Sequence, residues 1–392
     1  MLGAPAAGGG FVAHDSSGRV VFVRHGMEGE HVLARLTEEH ATWARADAVE
    51  VLEPSADRVA PRCPYAGPGG CGGCDYQHLN LAAQRRVKTA LLAAQLRELA
   101  GDVTVEPASL DGDGLGTRTR VRFVVGPDGR LAMRRHRSHE LVSVQRCALG
   151  VDQVASPHVD SVALAAGSEV EAVALPGATA PTIAVTAPGR ARRGATRVLS
   201  GTGFAAHQST RVGELDFTVS AGVFWQVHAR AAALLTDAVL EGLGLAEGDA
   251  VCDLYCGAGL FTKAVAHAVG PKGSVVGVDS SRRAIEDARA SLRAMPWATV
   301  HAGRVDARTA QKAARGCTHA VMDPPRAGTD AGALRAIGAS SVTTLVSVSC
   351  DPATFARDLR RLAADGWRIE QVRAFDLFEM TEHLECVAVL RR

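Results

Sequence analysis

Two residues in the second half of the chain could act together on one carbon of a substrate. Cys350 lies in residues 345–354 (LVSVSCDPAT), and Glu385 opens the last predicted strand. A thiolate can add to one carbon of a conjugated ring and make its neighbour nucleophilic, and a carboxylate can then remove the displaced proton. Structural cysteines are often buried, so the interpretation of Cys350 as a nucleophile and Glu385 as a base depends on the rest of the sequence.

Four other cysteines have the spacing of metal ligands. Cys63, Cys71 and Cys74 follow the pattern C-x7-C-x2-C in a loop rich in glycine and proline, and Cys147 lies much further along the chain. Four thiolates suit either a tetrahedral zinc ion or a four-iron, four-sulfur cluster. A zinc ribbon usually takes its second pair of ligands from another close C-x2-C, so a single distant fourth cysteine favours the iron–sulfur cluster. No cysteine of this group is near Cys350 in sequence, which predicts a structural role.

A glycine turn followed by an aspartate indicates a methyl donor. Residues 251–262 (VCDLYCGAGLFT) have the pattern of a strand, a glycine turn and a helix start, where the backbone can approach a ligand closely. A dinucleotide-binding turn would have a third glycine at the position of Thr262. Asp279 ends the next predicted strand, where a carboxylate can accept hydrogen bonds from both hydroxyls of a ribose. Together with Asp253, this pattern favours S-adenosylmethionine over a nicotinamide.

The segment DPPRAG, residues 323–328, follows another predicted strand. It would therefore lie at the carboxyl edge of the sheet, where ligands bind in open α/β folds. Enzymes that alkylate exocyclic amines often have an aromatic residue after a similar Pro-Pro pair, to stack on the base. Arg326 occupies that position here, which argues against amine chemistry and for contact with a base or a phosphate. The alternative interpretation of Asp323-Pro-Pro is a rigid turn.

The composition limits the class of protein. The chain has 392 residues, of which 47% are apolar, and this length predicts two or three domains with ample core. No stretch is long and apolar enough to cross a bilayer, and the N-terminal segment MLGAPAAGGG lacks the pattern of a signal peptide. We therefore expect a cytoplasmic protein with no membrane partner, in which nine cysteines argue against a disulfide framework.

Charge is distributed unevenly along the chain. The net charge is +1, so no overall field attracts a polyanion. Residues 118–146 nevertheless carry eight arginines and only two acidic residues, Asp128 and Glu140. Guanidinium groups bind phosphates with two parallel hydrogen bonds, so this arginine stripe predicts a phosphate-binding surface. A solvated face of a sheet is the alternative.

The predicted elements divide the chain into three parts. Residues 1–54 contain short strands at 18–23, 30–36 and 48–52, separated by glycine turns, which is the pattern of a small β-barrel. Residues 55–220 contain the cysteine loop, a helix predicted at 79–100, and alternating strands from about residue 117. Residues 221–392 begin with a helix predicted at 227–243, after which strands and helices alternate. That alternation predicts a doubly wound, mainly parallel sheet, and the chain as a whole is predicted to be α/β.

With these residues assembled, the chain resembles the RNA uridine-C5 methyltransferases of the TrmA/RumA family over nearly its whole length. The segments that carry the resemblance are GRVVFV (18–23), VLEPSADRVAPRC (51–63), CGGCDYQH (71–78), RC (146–147), FWQV (224–227), DLYCGAG (253–259), DPPRAG (323–328), SCDP (349–352) and TEHLE (381–385). The first two segments resemble the TRAM domain of that family and its exit.

The resemblance implies a role for each matched position. Cys350 would be the nucleophile and Glu385 the base, in a Rossmann-like catalytic domain. The residues that would contact S-adenosylmethionine are Gln226, Tyr255, Asp279 and Asp323, and those that would hold the four-iron, four-sulfur cluster are Cys63, Cys71, Cys74 and Cys147. The substrate would be a tRNA or a ribosomal RNA, bound by a monomer through the TRAM-like barrel and the arginine stripe.

The chain departs from the family pattern at three places. The first two cluster cysteines are separated by seven residues, where five is usual. Asp351 replaces the usual Asn, and its charge is expected to raise the pKa of Cys350 unless it is paired. The barrel pattern starts so close to residue 1 that we expect the first barrel strand to be missing.

Two alternative functions follow from the same motifs. The first is an RNA methyltransferase acting on cytosine C5 or on an exocyclic amine. The absence of a second catalytic cysteine in a Pro-Cys context argues against cytosine, and Arg326 argues against an amine. The second is a non-catalytic iron–sulfur RNA-binding protein, which would need neither Cys350 nor Glu385. The presence of both residues argues against it.

Overall fold

The computed structural model describes residues 1–101, 103–108, 112–159, 162–189, 196–199 and 203–392. Among them are four sheets, of five, six, two and eight strands. None of the helices in these ranges combines the length and the apolar character needed to cross a membrane.

The first sheet contains the strands predicted near the N-terminus. Its five strands are β1 (Pro5–Ala6), β2 (Gly10–His14), β3 (Val20–Arg24), β4 (His31–Glu39) and β5 (Trp43–Glu53). They lie in the order β1-β2-β3-β5-β4, with β3 and β5 parallel and the other neighbours antiparallel. The sheet edges are therefore β1 and β4, and its closure into a barrel stays a prediction. Its core is formed by Phe11, Val21 and Val23 with alanines of β5.

A helix and a short strand follow the cysteine loop. These are α1 (Leu81–Leu96) and β6 (Val105–Pro107). The helix begins two residues later than predicted because Asn80 caps it, accepting a hydrogen bond from the Ala83 N–H at 2.8 Å. Its buried face packs on the first sheet through Val87 and on the eight-stranded sheet, described below, through Leu92 and Leu96.

The six-stranded sheet and a hairpin form the middle of the chain. The elements are β7 (Arg120–Val125), β8 (Leu131–Arg134), β9 (Leu141–Ser143), α2 (Asp152–Ala155), β10 (Glu169–Val173), β11 (Thr182–Thr186), β12 (Thr196–Val198), β13 (His207–Val212) and β14 (Leu215–Ser220). The sheet order is β12-β11-β10-β7-β8-β9, antiparallel throughout, and β13 pairs with β14. Residues of β7 alternate, with Val121 and Phe123 in the core and Arg120 and Arg122 on the other face.

The eight-stranded sheet lies mainly in residues 221–392, which the resemblance predicts to be catalytic, and we call it the catalytic sheet. Its remaining elements are α3 (Ala231–Leu243), β15 (Ala250–Leu254), α4 (Leu260–Val269), β16 (Ser274–Asp279), α5 (Arg282–Ser291), β17 (Ala298–Ala302), α6 (Ala307–Ala313), β18 (His319–Met322), α7 (Ala331–Gly338), β19 (Thr344–Ser349), α8 (Pro352–Ala364), β20 (Arg368–Asp376) and β21 (Glu385–Arg391). The order is β17-β16-β15-β18-β19-β21-β20-β6. Strands β15 to β19 are parallel, and β21 is antiparallel to both of its neighbours. This confirms the predicted doubly wound, mainly parallel sheet.

The order of the strands places a crevice at one edge of this sheet. The chain moves outward from β15 to β16 and β17, and then returns to β18 on the other side of β15. Ligands bind at the carboxyl ends of parallel strands beside such a reversal. Glycine and aspartate segments after β15, β16 and β18 are therefore brought together.

The helix predicted from Val227 begins only at Ala231. Residues before it pair with residues 117–119 instead, through hydrogen bonds from Thr119 N–H to the Val227 carbonyl at 2.7 Å and from Ala229 N–H to the Thr117 carbonyl at 2.9 Å. This pairing holds Gln226 in an extended segment against the catalytic sheet.

The domain boundaries predicted at residues 54 and 220 stay predictions. One strand from before residue 220 joins the sheet that the residues after it form. β6 lies within residues 55–220, yet it pairs with β20 at the edge of the catalytic sheet. The preceding α1 contributes Lys88, whose ammonium lies 2.5 Å from the Asp376 carboxylate with both side chains buried. Residues 81–107 thus pack with residues 221–392.

Replacing Lys88 with methionine is expected to lower the free energy of unfolding by about 3–5 kcal/mol, because the buried Asp376 charge loses its partner. Urea-induced unfolding measures this loss. The double variant Lys88→Met, Asp376→Leu should recover much of it, since it leaves no uncompensated charge. Lys272→Met is the control, because the Lys272–Glu247 pair is exposed on both sides and such pairs contribute about 0–1 kcal/mol. Equal effects of the two single variants would contradict the prediction.

Candidate active site

The pairing of β19 with β21 brings Cys350 and Glu385 together. Ser349 pairs with Cys386 as the last pair of this antiparallel register, so Cys350 and Glu385 are the residues directly beyond it on the two strands. Both side chains line one cavity of about 910 Å³ at the carboxyl edge of the parallel strands. The two residues predicted to do chemistry therefore lie in the same site.

The same cavity contains every residue predicted to contact S-adenosylmethionine. Its walls include Gln226, Tyr255, Asp279 and Asp323. In the structure three of these residues lie at the carboxyl ends of β15, β16 and β18, and Gln226 lies in the segment before α3. The order of the strands brings them together. A cavity of several hundred Å³ with few polar groups is typical of a cofactor site.

Turns after β15 and β16 shape one side of this cavity. Asp279 accepts hydrogen bonds from the N–H groups of Gly257 at 3.1 Å and Ser281 at 2.7 Å, which fix its carboxylate beside the glycine turn. Gly259 has a positive φ of 86° at the start of α4, and a Cβ there would lie 3.0 Å from the Cβ of Ala288. A side chain at this glycine would therefore be both strained and crowded.

Tyr255 adopts a left-handed backbone conformation with φ of 67°. This conformation is uncommon for a residue with a side chain and is often found at functional sites. The Tyr255 hydroxyl accepts a hydrogen bond from the Asp330 N–H at 3.2 Å. The Tyr255 side chain is thus fixed by its backbone at one end and by the Asp330 N–H at the other. It connects the turn after β15 to the loop after β18.

Two buried carboxyl groups lie beneath the cavity. Burial raises the pKa of Asp323 to about 7, against the effect of its hydrogen bond from the Gln226 amide at 3.3 Å. Burial also raises the pKa of Asp253 to about 7. One oxygen of Asp253 accepts a hydrogen bond from the Thr262 hydroxyl at 2.5 Å, and the other has no partner among the described residues. Partly ionised near neutral pH, and with one Asp253 oxygen left without a partner, these groups suit a site that receives a cationic ligand.

Burial and charge also act on the catalytic pair. Burial, followed by the charge of Glu385, raises the pKa of Cys350 to about 11, while Arg326 opposes the rise through its charge and a hydrogen bond. Burial and the charge of Asp323 raise the pKa of Glu385 well above its usual value, and Arg326 again opposes. Arg326 is therefore the cation that serves both residues. The carboxylate of Asp351 caps α8 by accepting a hydrogen bond from the Thr354 N–H at 2.9 Å. Asp351 was expected to raise the pKa of Cys350 unless it was paired, and the rise comes instead from burial and from Glu385.

A second cavity lies beside the first and is lined by all four predicted cluster cysteines. It has a volume of about 450 Å³, and the thiols on its wall are Cys63, Cys71, Cys74 and Cys147. The Gly73 N–H donates to the sulfur of Cys71 at 3.4 Å, and the Gln77 amide donates to that of Cys74 at 3.5 Å. N–H donors to sulfur stabilise thiolate ligands. Within the described ranges, no group of three or more His, Cys, Asp or Glu side chains is arranged to hold a single metal ion.

The two cavities share a wall. Val227, Arg326 and Phe378 line both of them. The sequence singles out Arg326, but it does not single out Phe378, which follows β20. The signal in the sequence that could have indicated Phe378 is its position, as an aromatic residue three positions before the closing segment TEHLE. His383 of that segment lines only the cysteine cavity.

The arginine stripe is partly paired with acidic residues. Arg120 and Arg122 both contact the carboxylate of Glu171, at 2.7 and 2.8 Å. The exposed Arg134 and Arg135 contact Glu169 at 3.4 Å and Glu140 at 2.5 Å, and these two acidic residues are also exposed. The net positive charge of the surface is therefore smaller than the sequence count indicates.

Comparison with known proteins places the chain in a family. Residues 189–392 match the family described as tRNA (Uracil-5-)-methyltransferase. The chain is 41% identical to an uncharacterized RNA methyltransferase of Streptomyces avermitilis, over 99% of this chain and 96% of the relative. It is 32% identical to the 23S rRNA (uracil(1939)-C(5))-methyltransferase RlmD of Chromohalobacter salexigens, over 97% and 86%.

A solved structure has the same fold along the whole chain. It is the tRNA (uracil-54, C5)-methyltransferase of Pyrococcus abyssi in complex with S-adenosyl-L-homocysteine, with a TM-score of 0.75, 21% identity, and coverage of 100% of this chain and 99% of the other. A Rossmann-like sheet with this cavity defines an S-adenosylmethionine-dependent methyltransferase. Within that class, the chain belongs to the RNA (uracil-5-)-methyltransferase family.

Proposed function

We propose that the protein methylates C5 of a uridine in structured RNA through a covalent adduct between Cys350 and C6 of the base. The observation that carries this proposal is that Cys350 and Glu385, just beyond the last pair of β19 and β21, line the same cavity as the residues predicted to contact the donor. An enzyme that alkylates an amine needs neither a nucleophilic thiol nor a base to remove a carbon-bound proton. Uracil C5 chemistry needs both.

The chemistry follows from the polarity of uracil. C5 is a poor nucleophile, whereas C6 is electrophilic because it is conjugated to the C4 carbonyl. The thiolate of Cys350 adds to C6, which forms a carbon–sulfur bond and an enolate with a nucleophilic C5. C5 takes up the methyl group as the bond between that group and the donor sulfur breaks, which leaves neutral S-adenosylhomocysteine. Glu385 then removes the C5 proton, and the carbon–sulfur bond to Cys350 breaks to release the thiolate. Arg326 stabilises the thiolate at the start and the end of this cycle.

Four residues are proposed to hold the methyl donor. S-adenosylmethionine supplies an electrophilic methyl group on a sulfonium cation. Asp279 would accept hydrogen bonds from the ribose hydroxyls, and Tyr255 would cover the opening beside it. Gln226 and Asp323 are joined at 3.3 Å and would face the charged part of the donor, where the raised pKa of Asp323 falls as a cation approaches.

We propose that the four cysteines hold a four-iron, four-sulfur cluster with a structural role. The cavity of about 450 Å³ is much larger than a single ion needs. Burial raises the pKa values of Cys71 and Cys147, and that of Cys74 to about 12. A metal centre would compensate for ionising such thiols.

Protein purified without oxygen is expected to be brown and to contain about four irons per chain, as a cubane ligated by four cysteines requires. Elemental analysis and the visible absorption spectrum measure this. Replacing any one of Cys63, Cys71, Cys74 or Cys147 with serine should lower the iron content and destabilise the middle of the chain more than it changes the chemistry. One zinc per chain without iron would contradict the assignment.

RNA is proposed to approach through the N-terminal sheet and the arginine stripe. The target uridine must leave its stack to reach Cys350, so a looped or flipped base is required. In this proposal the N-terminal sheet is a TRAM-like barrel that holds RNA by its shape and phosphates. The protein would act as a monomer in the cytoplasm. Its three units would be the barrel (1–54), the cluster unit (55–220) and the catalytic unit (221–392), with residues 81–107 packed on the last.

Replacing Arg134, Arg135 and Arg137 together with glutamine is expected to weaken RNA binding and to reduce the slope of log K against log salt by about two to three. Exposed ion pairs are worth only about 0–1 kcal/mol, so phosphates can displace Glu140 and Glu169. Titrations at several salt concentrations measure the slope, and Arg368→Gln is the control, because Arg368 is an exposed arginine of β20 that pairs with Glu370 and is not part of the stripe. An unchanged slope would mean that RNA binds elsewhere.

The RNA class is tested directly. The relatives named above include enzymes described for 23S rRNA and for tRNA, so both are candidates. Mass mapping of 5-methyluridine in tRNA and rRNA from a deletion strain, with complementation by wild type and by Cys350→Ala, identifies the target. Loss of one 5-methyluridine that only the wild type restores would support the proposal, and an unchanged RNA would contradict it.

A further inference from the structure

A buried histidine and a buried glutamate meet directly behind the wall shared by the two cavities. His228 follows Val227, and Glu379 follows Phe378, so each is the neighbour of a wall residue. The His228 Nε2 lies 3.3 Å from the Glu379 Oε1, and the residues are 4% and 8% exposed. The contact joins the segment before α3 to the loop between β20 and β21.

Each member of this pair is oriented by a further contact. The His228 Nδ1 accepts a hydrogen bond from the Arg230 N–H at 3.0 Å, so the ring proton is on the Nε2 that faces Glu379. The other oxygen of Glu379 accepts from the Thr117 hydroxyl at 3.3 Å. Burial raises the pKa of Glu379, but His228, a backbone hydrogen bond and the charge of Lys88 together lower it below its usual value. The glutamate is therefore held as a carboxylate.

The same loop is held on its other side by Lys88. Its ammonium donates to the Phe378 carbonyl at 3.0 Å as well as to Asp376. Phe378 is thus flanked by two buried contacts, the ion pair of Lys88 with Asp376 and the contact of His228 with Glu379. An aromatic side chain in a surface loop would ordinarily sample several positions, whereas this backbone is fixed on both sides.

Gln226, on the donor side of the cavity, is held independently of the pair. The Thr119 hydroxyl donates to the carbonyls of Gln226 at 3.1 Å and Val227 at 2.8 Å. Loss of the His228–Glu379 contact would leave these bonds in place. The pair therefore acts on Phe378, and through it on the cavity that also contains Cys350 and Glu385.

We propose that His228 and Glu379 are a positioning pair that sets the Phe378 wall so that the uracil meets Cys350 in a reactive orientation. The inference rests on the proposed function. A displacement of about 1 Å at such a wall can lower the rate about a hundredfold without removing any reacting group. The pair should therefore affect the reaction of bound RNA and leave the methyl-donor site unchanged.

The test is a double-mutant cycle with Glu379→Gln, His228→Asn and the double variant, assayed for uracil methylation. The rate at saturating RNA is expected to fall at least about tenfold in each single variant, with a smaller change in KM for RNA. The dissociation constant of S-adenosylhomocysteine should change less than about twofold. Because the two residues act through one contact, the double variant should be no slower than the slower single variant. Glu379→Asp, which keeps the charge, should recover part of the rate.

The control is His319→Gln, which removes a partly buried histidine facing Asp249 at the opposite edge of the same sheet. It should leave the rate unchanged. Unchanged rates in the cycle, additive losses, or an equal loss of S-adenosylhomocysteine affinity would overturn the positioning pair. If Glu379→Gln does not fold, Glu379→Asp and His228→Asn decide the question by the same readouts. A wild type that forms no 5-methyluracil would instead overturn the proposed function.

Discussion

Cys350→Ala is expected to abolish methyl transfer while S-adenosylhomocysteine binds with about the wild-type affinity. The thiol is the group that activates uracil, and without an adduct at C6 the neighbouring C5 carries too little negative charge to attack. The donor site lies on β15, β16 and β18, whereas Cys350 follows β19. Removing a single sulfur from the cavity wall should therefore leave donor binding intact. Transfer of a labelled methyl group to RNA and calorimetric titration measure the two effects.

The matched control for this variant is Cys317→Ala, which removes a buried thiol from the segment between α6 and β18, at the amino end of that strand and outside the cavity lining. It should methylate RNA at the wild-type rate. Substantial turnover by Cys350→Ala would remove Cys350 from the role of nucleophile. A parallel loss of affinity for S-adenosylhomocysteine would mean that the variant disturbs the cavity as a whole.

Glu385→Gln is expected to stop the reaction after the methyl group has been transferred. The amide cannot accept the C5 proton, so the carbon–sulfur bond to Cys350 cannot break by elimination. A protein–RNA adduct that survives denaturing gels should accumulate to nearly one per enzyme, and turnover should fall by about two to four orders of magnitude. Mass spectrometry of the adduct should find the methyl group already present on the base.

His383 is the first other residue of the closing segment to test as a base. It lines the cysteine cavity and not the active-site cavity, and burial, with the charge of Arg326, lowers its pKa to about 4. His383→Gln should therefore form no trapped adduct. Wild-type turnover by Glu385→Gln, or an adduct trapped by His383→Gln, would contradict the assignment of Glu385.

Much of the catalytic sheet can be predicted because its strands are short apolar runs between amphipathic helices. α4 begins directly after Gly259 and α8 directly after Asp351, with Pro352 as its first residue, since a glycine turn and a capping aspartate with proline are strong local signals. The sequence does not predict α6 or α7. They have seven and eight residues, which is too few for a clear helical period.

The residues of the candidate site also fall into two groups, those that the sequence predicts and those that it does not. Cys350, Glu385 and the donor-site residues lie in recognisable segments, and each is next to a strand end that the pattern predicts. His228 and Glu379 carry no such signal, because their pairing depends on two loops that meet only in the folded protein. The helix start predicted at Val227 was wrong for the same reason. Pairing with residues 117–119, distant in sequence, overrides a local helical pattern.

The burial of Lys88 against Asp376 has a consequence for how the chain folds during synthesis. The two residues are separated by 288 positions, and ribosomes add about 5–20 residues per second. Lys88 therefore emerges roughly a quarter of a minute to a minute before its partner exists. During that time α1 cannot take its final place without burying an unpaired charge, and the edge strand β6 has no neighbour to join. α1 and β6 must therefore wait for the last strands, so we expect nascent chains that stop short of residue 376 to remain open to chaperones and proteases in this region.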